Sequence, residues 1–356
     1  MAQEAGALAG GGKVLVIANP AAQSGRGAKA ADRAAALLRA RLGEDAVVVA
    51  KTLGPRHASE IAERAEGCAA VVAVGGDGVV HEVANGLMRR PADRRPAFGV
   101  VPAGSGNDYA RSLGMPFEVE AACARLLESE ARPVDVGRVN GRWFVETLSF
   151  GLDAAIALDT MKRRERTGRS GAALYMASGF DQLLHHLDAR AYTASFDGGE
   201  PVRGRSITFA AQVGPYYGSG FKICPDARLD DGELDACIAH PPVGAARAAY
   251  IFLRAKSGKH TGFPQIELRR FRTLHVEFDE APPAQTDGER IEARSFDVAI
   301  DPAALRVLHP ARSADETAAR QNNKEAEMKS LFGMFPNSVT VDDARSIRAE
   351  EKQRLS

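Results

Sequence analysis

The sequence is poor in the features that define several whole classes of protein. It has four cysteines, Cys68, Cys123, Cys224 and Cys237, and no two share C-x-x-C spacing. That excludes the usual zinc and redox motifs and a dense disulfide framework, and it fits reduced thiols in a cytoplasmic protein. No uninterrupted apolar stretch approaches the ~20 residues of a membrane span, so any bilayer contact is expected to be peripheral. Residues Met1 to Gly12 are small and lack the charged-then-apolar pattern of a signal peptide. Charge of one sign is missing too: 46 basic and 46 acidic residues balance to a formal net charge of zero. A protein devoted to a long polyanion is thereby disfavoured, and nucleic acid is not an expected partner. There is no internal repeat.

What is present is an ordinary globular composition, 45% hydrophobic and 26% charged over 356 residues. That length favours two domains, each with its own core. Short apolar runs at 14–18, 46–50, 69–74 and 98–102 are bounded by turn residues and read as buried strands. Helical segments are expected at 28–42, 57–66 and 80–88. Strands alternating with helices at this spacing imply a parallel α/β sheet, and ligands bind at the carboxyl ends of such strands.

Near Pro133 the texture changes. Strand-like segments at 143–148, 192–196, 206–213, 233–239, 273–278 and 295–300 are punctuated by Asp197-Gly198-Gly199, Asp231-Gly232 and Asp287-Gly288. The expected fold class is therefore α/β + β: an N-terminal α/β nucleotide-binding domain with a parallel sheet at 13–135, then a β-rich, sandwich-like domain at 136–310. Helices near 172–187 and 243–257 interrupt the second domain. A charged tail, 311–356, carries an apolar island at 331–335 that suits docking or membrane contact.

Three glycine loops follow strand ends. Gly75-Gly76-Asp77-Gly78 lets backbone N–H groups approach a polyphosphate, while Asp77 is suited to hold Mg²⁺ or accept a proton. Pro102-Ala103-Gly104-Ser105-Gly106-Asn107-Asp108 adds a hydroxyl and an amide, and Asn19-Pro20 with Ser24, Gly25 and Gly27 forms a third loop. Any one alone is also a plain turn. Asp230-Asp231-Gly232 reads as a turn and Asp287-Gly288-Glu289 as a hairpin turn, each supplying carboxylates of the kind Mg²⁺ and phosphoryl transfer require.

Six segments in order resemble the diacylglycerol kinase catalytic superfamily, which includes sphingosine and ceramide kinases and bacterial lipid kinases. They are Asn19-Pro20 with its glycines, residues 75–87, 102–108, 149–154 and 225–234, and Asp287-Gly288-Glu289. The resemblance runs from about residue 13 to 309 and implies an α/β nucleotide domain, a β-rich domain and an active site between them. It implies ATP contacts at Asn19, Pro20, Gly25, Thr52, Gly75, Gly76, Asp77, Gly78, Val79, Val80, His81 and Ser105. It implies Mg²⁺ held by the Asp231 carboxylate and the backbone carbonyls of Arg228 and Glu233. Glu289 is the implied proton acceptor, with Asp287 beside it and Asp77 organising metal and proton. Val79 stands where bacterial members carry threonine.

Together these readings describe an ATP-dependent kinase acting on a lipid hydroxyl at a membrane surface, with diacylglycerol as acceptor and a sphingoid base as the alternative. A soluble-acceptor kinase such as an NAD kinase, and a nucleotide-binding regulator without catalysis, are the rival readings. Glu82 either complements the positive end of its own helix or touches nucleotide. The run Lys162 to Arg169 reads as a solvated loop, with contact to anionic headgroups or, through Arg164 or Arg169, to ATP phosphates as its functional alternatives. The sequence leaves open whether the protein is a monomer or a homodimer.

Overall fold

Apolar runs between turn residues become the first four strands. The computed structural model describes residues 8, 11–20, 25–185 and 187–310. In it, β1 (Lys13–Ala18), β2 (Val47–Lys51), β3 (Cys68–Gly75) and β4 (Ala97–Pro102) lie parallel in the order β2-β1-β3-β4. Val71, Val72 and Val74 have no exposed surface. A parallel strand covered on both faces needs such an unbroken apolar run. The connecting helices are α1 (Arg26–Leu42), α2 (His57–Glu63), α3 (Asp77–Met88), α4 (Asp108–Ser112) and α5 (Val119–Glu128). Ala31, Ala34, Ala35 and Leu38 of α1 are buried, the helical spacing of one face. Burying a leucine or valine side chain contributes about 1.5–3 kcal/mol.

The chain continues through β5 (Glu130–Val139), β6 (Arg142–Phe144), β7 (Thr147–Gly151), α6 (Leu152–Thr167), α7 (Ala172–His185), β8 (Arg190–Phe196), β9 (Val202–Ser206) and β10 (Thr208–Gln212). A small hairpin, β11 (Tyr216–Tyr217) and β12 (Phe221–Lys222), precedes β13 (Leu234–Ala239), α8 (Ala245–Ala255) and β14 (Ile266–Phe271). The last strands are β15 (Thr273–Phe278), β16 (Ala284–Thr286), β17 (Glu289–Arg290) and β18 (Ser295–His309).

An antiparallel six-stranded sheet, β14-β13-β10-β7-β16-β17, faces the extension β18-β15-β8-β9 of the first sheet. Phe150 sits between them, with ring centroids 4.6 Å from Phe296, 5.3 Å from Phe278 and 5.8 Å from Phe209. Such a cluster binds two sheet faces by area and by ring-edge contact. The architecture is thus a mostly parallel α/β sheet followed by an antiparallel, sandwich-like part. β18 joins the two: its early residues pair with β15, and Val307 pairs in parallel with Phe98 of β4. Residue 135 lies inside β5, which pairs with β18 along most of its length.

Three local expectations need correction. The third helix begins at Asp77 and not at Val80, so Asp77 and Gly78 occupy its first turn rather than a loop. The run from Lys162 to Thr167 is helical, the end of α6, because Leu152, Ile156 and Thr160 bury the face that leads into it. Arg163 pairs with Asp159 of the same helix at 2.5 Å and fastens it to α7 through Asp181 at 2.6 Å. The expected strand 143–148 is broken at Val145 and Glu146, whose N–H groups turn to a side chain described below. Ser24 and the segment 311–356, with its apolar island, lie outside the described residues.

Candidate active site

The Gly75-Gly76 and Gly104 loops touch. Ala103 N–H donates to the Gly75 carbonyl at 2.8 Å. A Cβ on Gly104 would stand 2.2 Å from Gly76 Cα, so only glycine permits the approach. Asn107, in the left-handed region at φ 57°, accepts from Gly104 N–H at 2.9 Å and donates back to its carbonyl at 3.0 Å. Asp77 then reaches across and accepts the N–H groups of Asp108 at 2.7 Å and Tyr109 at 3.4 Å. Those groups open α4, where an acceptor is otherwise lacking.

The opposite wall is the β16–β17 hairpin. Asp287 and Gly288 both have positive φ, 45° and 91°, as a two-residue Asp-Gly turn of the I′ type requires. The Asp287 carboxylate accepts from the N–H groups of Val145 at 2.8 Å, Glu146 at 3.0 Å and Thr147 at 2.9 Å. It also meets His81 Nδ1 of α3 at 2.8 Å. With four such contacts its side chain is 1% exposed, and it serves as the pin between hairpin and helix. Burial opposes a charge on His81, but the hydrogen bond and charge of Asp287 outweigh it and raise the imidazole above its ordinary value. Glu289, two residues beyond Asp287, is exposed.

Between these walls is a cavity of about 410 Å³. Its lining includes Asp77, Asp108, Glu146, Asp287 and Glu289, and among the lining residues Arg164 is the one cationic side chain. Arg164 comes from the end of α6 and places Nη2 3.5 Å from Ser105 Oγ. Crowding shows in the acids. Burial and the charge of Asp77 push Asp108 up to about 7. Burial, with the charges of Asp77, Asp287 and Asp108, raises the Glu146 carboxyl well above its ordinary value. Asp108 Oδ1 and Glu146 Oε1 are buried without hydrogen-bond partners. Unpaired buried oxygens are costly, and a bound ligand would relieve that cost.

Of the sequence-derived nucleotide residues, Asn19, Gly76, Asp77, Gly78, Val79 and Ser105 line this cavity, and Asp287 and Glu289 join them from the other half. Pro20, Gly25, Thr52, Gly75, Val80 and His81 do not. The Val80 side chain is core, 2% exposed, and His81 is committed to Asp287. Glu82 serves neither of its expected partners: its carboxylate accepts the N–H groups of Arg56 at 2.9 Å and Ala58 at 3.1 Å and so caps α2.

Arg228, Asp231 and Glu233 lie apart from the cavity lining, and the Asp231 carboxylate already faces a cation. The Arg270 guanidinium contacts Asp231 and lies 3.1 Å from Glu233. Burial raises the Asp231 carboxyl, and Arg270 is the group that opposes the rise. Among the described residues no group of three or more His, Cys, Asp or Glu side chains is arranged to hold a metal ion.

Sequence reasoning passed over Glu146 and Tyr217 as site residues and met Asp108 only as the end of the second glycine loop. A lone glutamate inside the strand-like run 143–148 was the available signal for Glu146. Tyr217 carried none, because its role depends on accepting from Tyr175 at 2.9 Å and donating to buried Asp153.

Residues 13–139 match the diacylglycerol kinase catalytic domain, and residues 146–309 match the YegS C-terminal NAD kinase beta sandwich-like domain. A probable lipid kinase YegS-like protein of Pseudomonas aeruginosa is 33% identical over 251 residues, 70% of this chain and 79% of that protein. A diacylglycerol kinase of Staphylococcus saprophyticus is 27% identical over 62% of this chain and 70% of its own length. In fold, the chain resembles the crystal structure of a diacylglycerol kinase from Bacillus anthracis, with a TM-score of 0.65 at 20% identity over 83% of this chain and 96% of that one. The chain belongs to the diacylglycerol kinase family, in its YegS-like branch, and is a lipid kinase.

Proposed function

We propose that the protein transfers the γ-phosphate of Mg-ATP to a hydroxyl of a membrane lipid, with diacylglycerol as acceptor and phosphatidate as product. The acceptor oxygen attacks the γ-phosphorus, the bond from that phosphorus to the β–γ bridging oxygen breaks, and ADP leaves. The hydroxyl proton passes to Glu289, which is exposed and free of the backbone duties that occupy Asp287. The glycine loops at 76–78 and 104–106 receive the phosphates, and Arg164 offsets charge on the transferring group. Mg²⁺ arrives with the nucleotide as part of the substrate.

The observation that carries this reading is that Asp77 and Glu289, 212 positions apart in the sequence numbering, line one cavity. A lipid acceptor is favoured by a second, apolar cavity of about 100 Å³ whose lining includes Leu152, Ile156, Leu183, Ile251 and Phe252. Asp153 lines that cavity, while its hydrogen-bonded partner Tyr217 lines the polar one. An apolar lining one side chain away from the acids suits the first methylenes of an acyl chain better than a soluble acceptor. No helix among the described residues is long and apolar enough to cross a membrane. Access to lipid is therefore assigned to peripheral contact, with the exposed basic residues of α6 facing anionic headgroups.

The test is incubation with radiolabelled ATP and vesicles containing diacylglycerol, a sphingoid base or neither, with NAD as a soluble arm. Label in phosphatidate, lost in Glu289→Gln, is the expected result. Label only in the sphingoid or NAD arm would replace the proposed acceptor, and no transfer to any lipid alcohol would end the proposal.

A further inference from the structure

The turn that the family resemblance offered as a magnesium site already contains a cation. Arg270 stands on β14 directly across from Asp235 on β13. Asp231, Glu233 and Asp235 follow one another at alternate positions leading into that strand, which brings their side chains toward one face. The guanidinium meets all three: Nη2 contacts Asp231 Oδ2 and lies 3.1 Å from Glu233 Oε2, while Nε is 3.8 Å from Asp235 Oδ1. The remaining Asp231 oxygen accepts the Glu233 N–H at 3.2 Å.

The turn is also sewn to its surroundings without any ion. Asp135 of β5 accepts Gly232 N–H and Ala303 N–H, each at 2.7 Å, and its own N–H donates to the Leu229 carbonyl at 2.7 Å. Both carboxylate oxygens of Asp135 and both of Asp231 are therefore engaged. A small divalent ion needs about six oxygen ligands in near-octahedral order. Here it would have to displace a guanidinium that is covalently tethered beside the site, or sit against it at the cost of like-charge repulsion.

We infer that Arg270 is the resident cation of the 229–233 turn, and that this joint between β13, β5 and β18 is held by a guanidinium in place of a divalent ion. Its planar fork can engage several carboxylates at once, which a lysine ammonium does less well. It follows that the joint keeps its geometry at any magnesium concentration. The turn then adds no divalent requirement of its own.

The experiment uses full-length protein, nucleotide-free, after exhaustive chelation. Thermal midpoint and Mn²⁺ binding, the latter by electron paramagnetic resonance, are measured for wild type, Asp231→Asn, Arg270→Met and Arg270→Lys. The wild-type midpoint is expected to be unchanged by Mg²⁺ or chelator, and wild type and Asp231→Asn are expected to bind Mn²⁺ alike. Arg270→Met is expected to melt several degrees lower and to regain part of that loss on addition of Mg²⁺, because three neighbouring carboxylates then lack their cation. Should Arg270→Met fail to fold, Arg270→Lys carries the test, with a smaller drop and no rescue by Mg²⁺. A bound Mn²⁺ in wild type that Asp231→Asn abolishes would overturn the inference. So would an Arg270→Met protein as stable in chelator as wild type.

Discussion

Two groups of acids in this protein have opposite fates. In the cavity, Asp77, Asp108, Glu146, Asp287 and Glu289 gather around space, with Arg164 the one cation among the lining residues, Arg111 3.8 Å from Asp108 behind them, and two buried oxygens without a hydrogen bond. At the 229–233 turn, Asp231, Glu233 and Asp235 gather around Arg270. Clustered carboxylates repel, and a fold can relieve the repulsion with a partner cation or with protons. The turn uses a partner cation and becomes a joint. In the cavity, burial and neighbouring charge raise Glu146 and Asp108, which favours protons over a cation, and Asp108 Oδ1 and Glu146 Oε1 are left without hydrogen bonds. Incomplete neutralisation, more than the number of acids, marks the place where a ligand is expected.

The largest effect should come from the cavity's exposed acid. Glu289→Gln is expected to lower kcat roughly 10²–10⁴-fold with little change in KM for ATP, the magnitude of a lost general base. A variant that keeps wild-type turnover would show that the proton goes elsewhere. Next is the cavity's cation. Arg164→Ala is expected to reduce kcat about 10²-fold, with partial recovery in Arg164→Lys. Steady-state kinetics at saturating lipid measure both.

A smaller effect concerns pH. Burial pushes Asp153 up to about 7, against an ordinary value near 3.8. For a carboxyl raised on folding, the stabilisation is full below the unfolded value and is lost as pH rises through the folded one. Stability should therefore fall by about 2–3 kcal/mol between about pH 5 and pH 8 on this account. Asp153→Asn should flatten that fall when followed by denaturant titration, and an unaltered slope would remove Asp153 from the explanation. The smallest change is expected at the joint. Asp235, pushed up to about 6 by burial with Arg270 opposing, lies 3.8 Å from the guanidinium. Asp235→Asn should shift stability by less than about 1 kcal/mol at neutral pH, because a half-exposed partner at that distance contributes little. A loss of several kcal/mol would make Asp235 as central to the joint as Asp231.

Much of the fold was legible before any coordinates. Val71 to Val74 announce a buried parallel strand because apolar continuity is what burial on both faces demands. Asp287-Gly288 announces a hairpin because few dipeptides accept two positive φ angles. The glycine loops were legible for the same local reason. What could not be read was the destination of side chains. Asp287 looked like a companion to Glu289 and proved to be a pin for three N–H groups and His81. Glu82 looked like a partner for its own helix or for nucleotide and proved to cap α2. Asp231, which the resemblance offered as a magnesium ligand, faces Arg270. Each partner lies tens to hundreds of positions away, where no local pattern reaches.

The amino-acid order alone determined the elements, the turns and the chemistry of the loops, since these depend on φ preference, hydrophobic period and hydrogen-bonding type within a few neighbours. Tertiary structure decided which carboxylates would be satisfied and which left bare. That outcome depends on burial and on charges brought together across the sheet, and neither exists until the chain has folded.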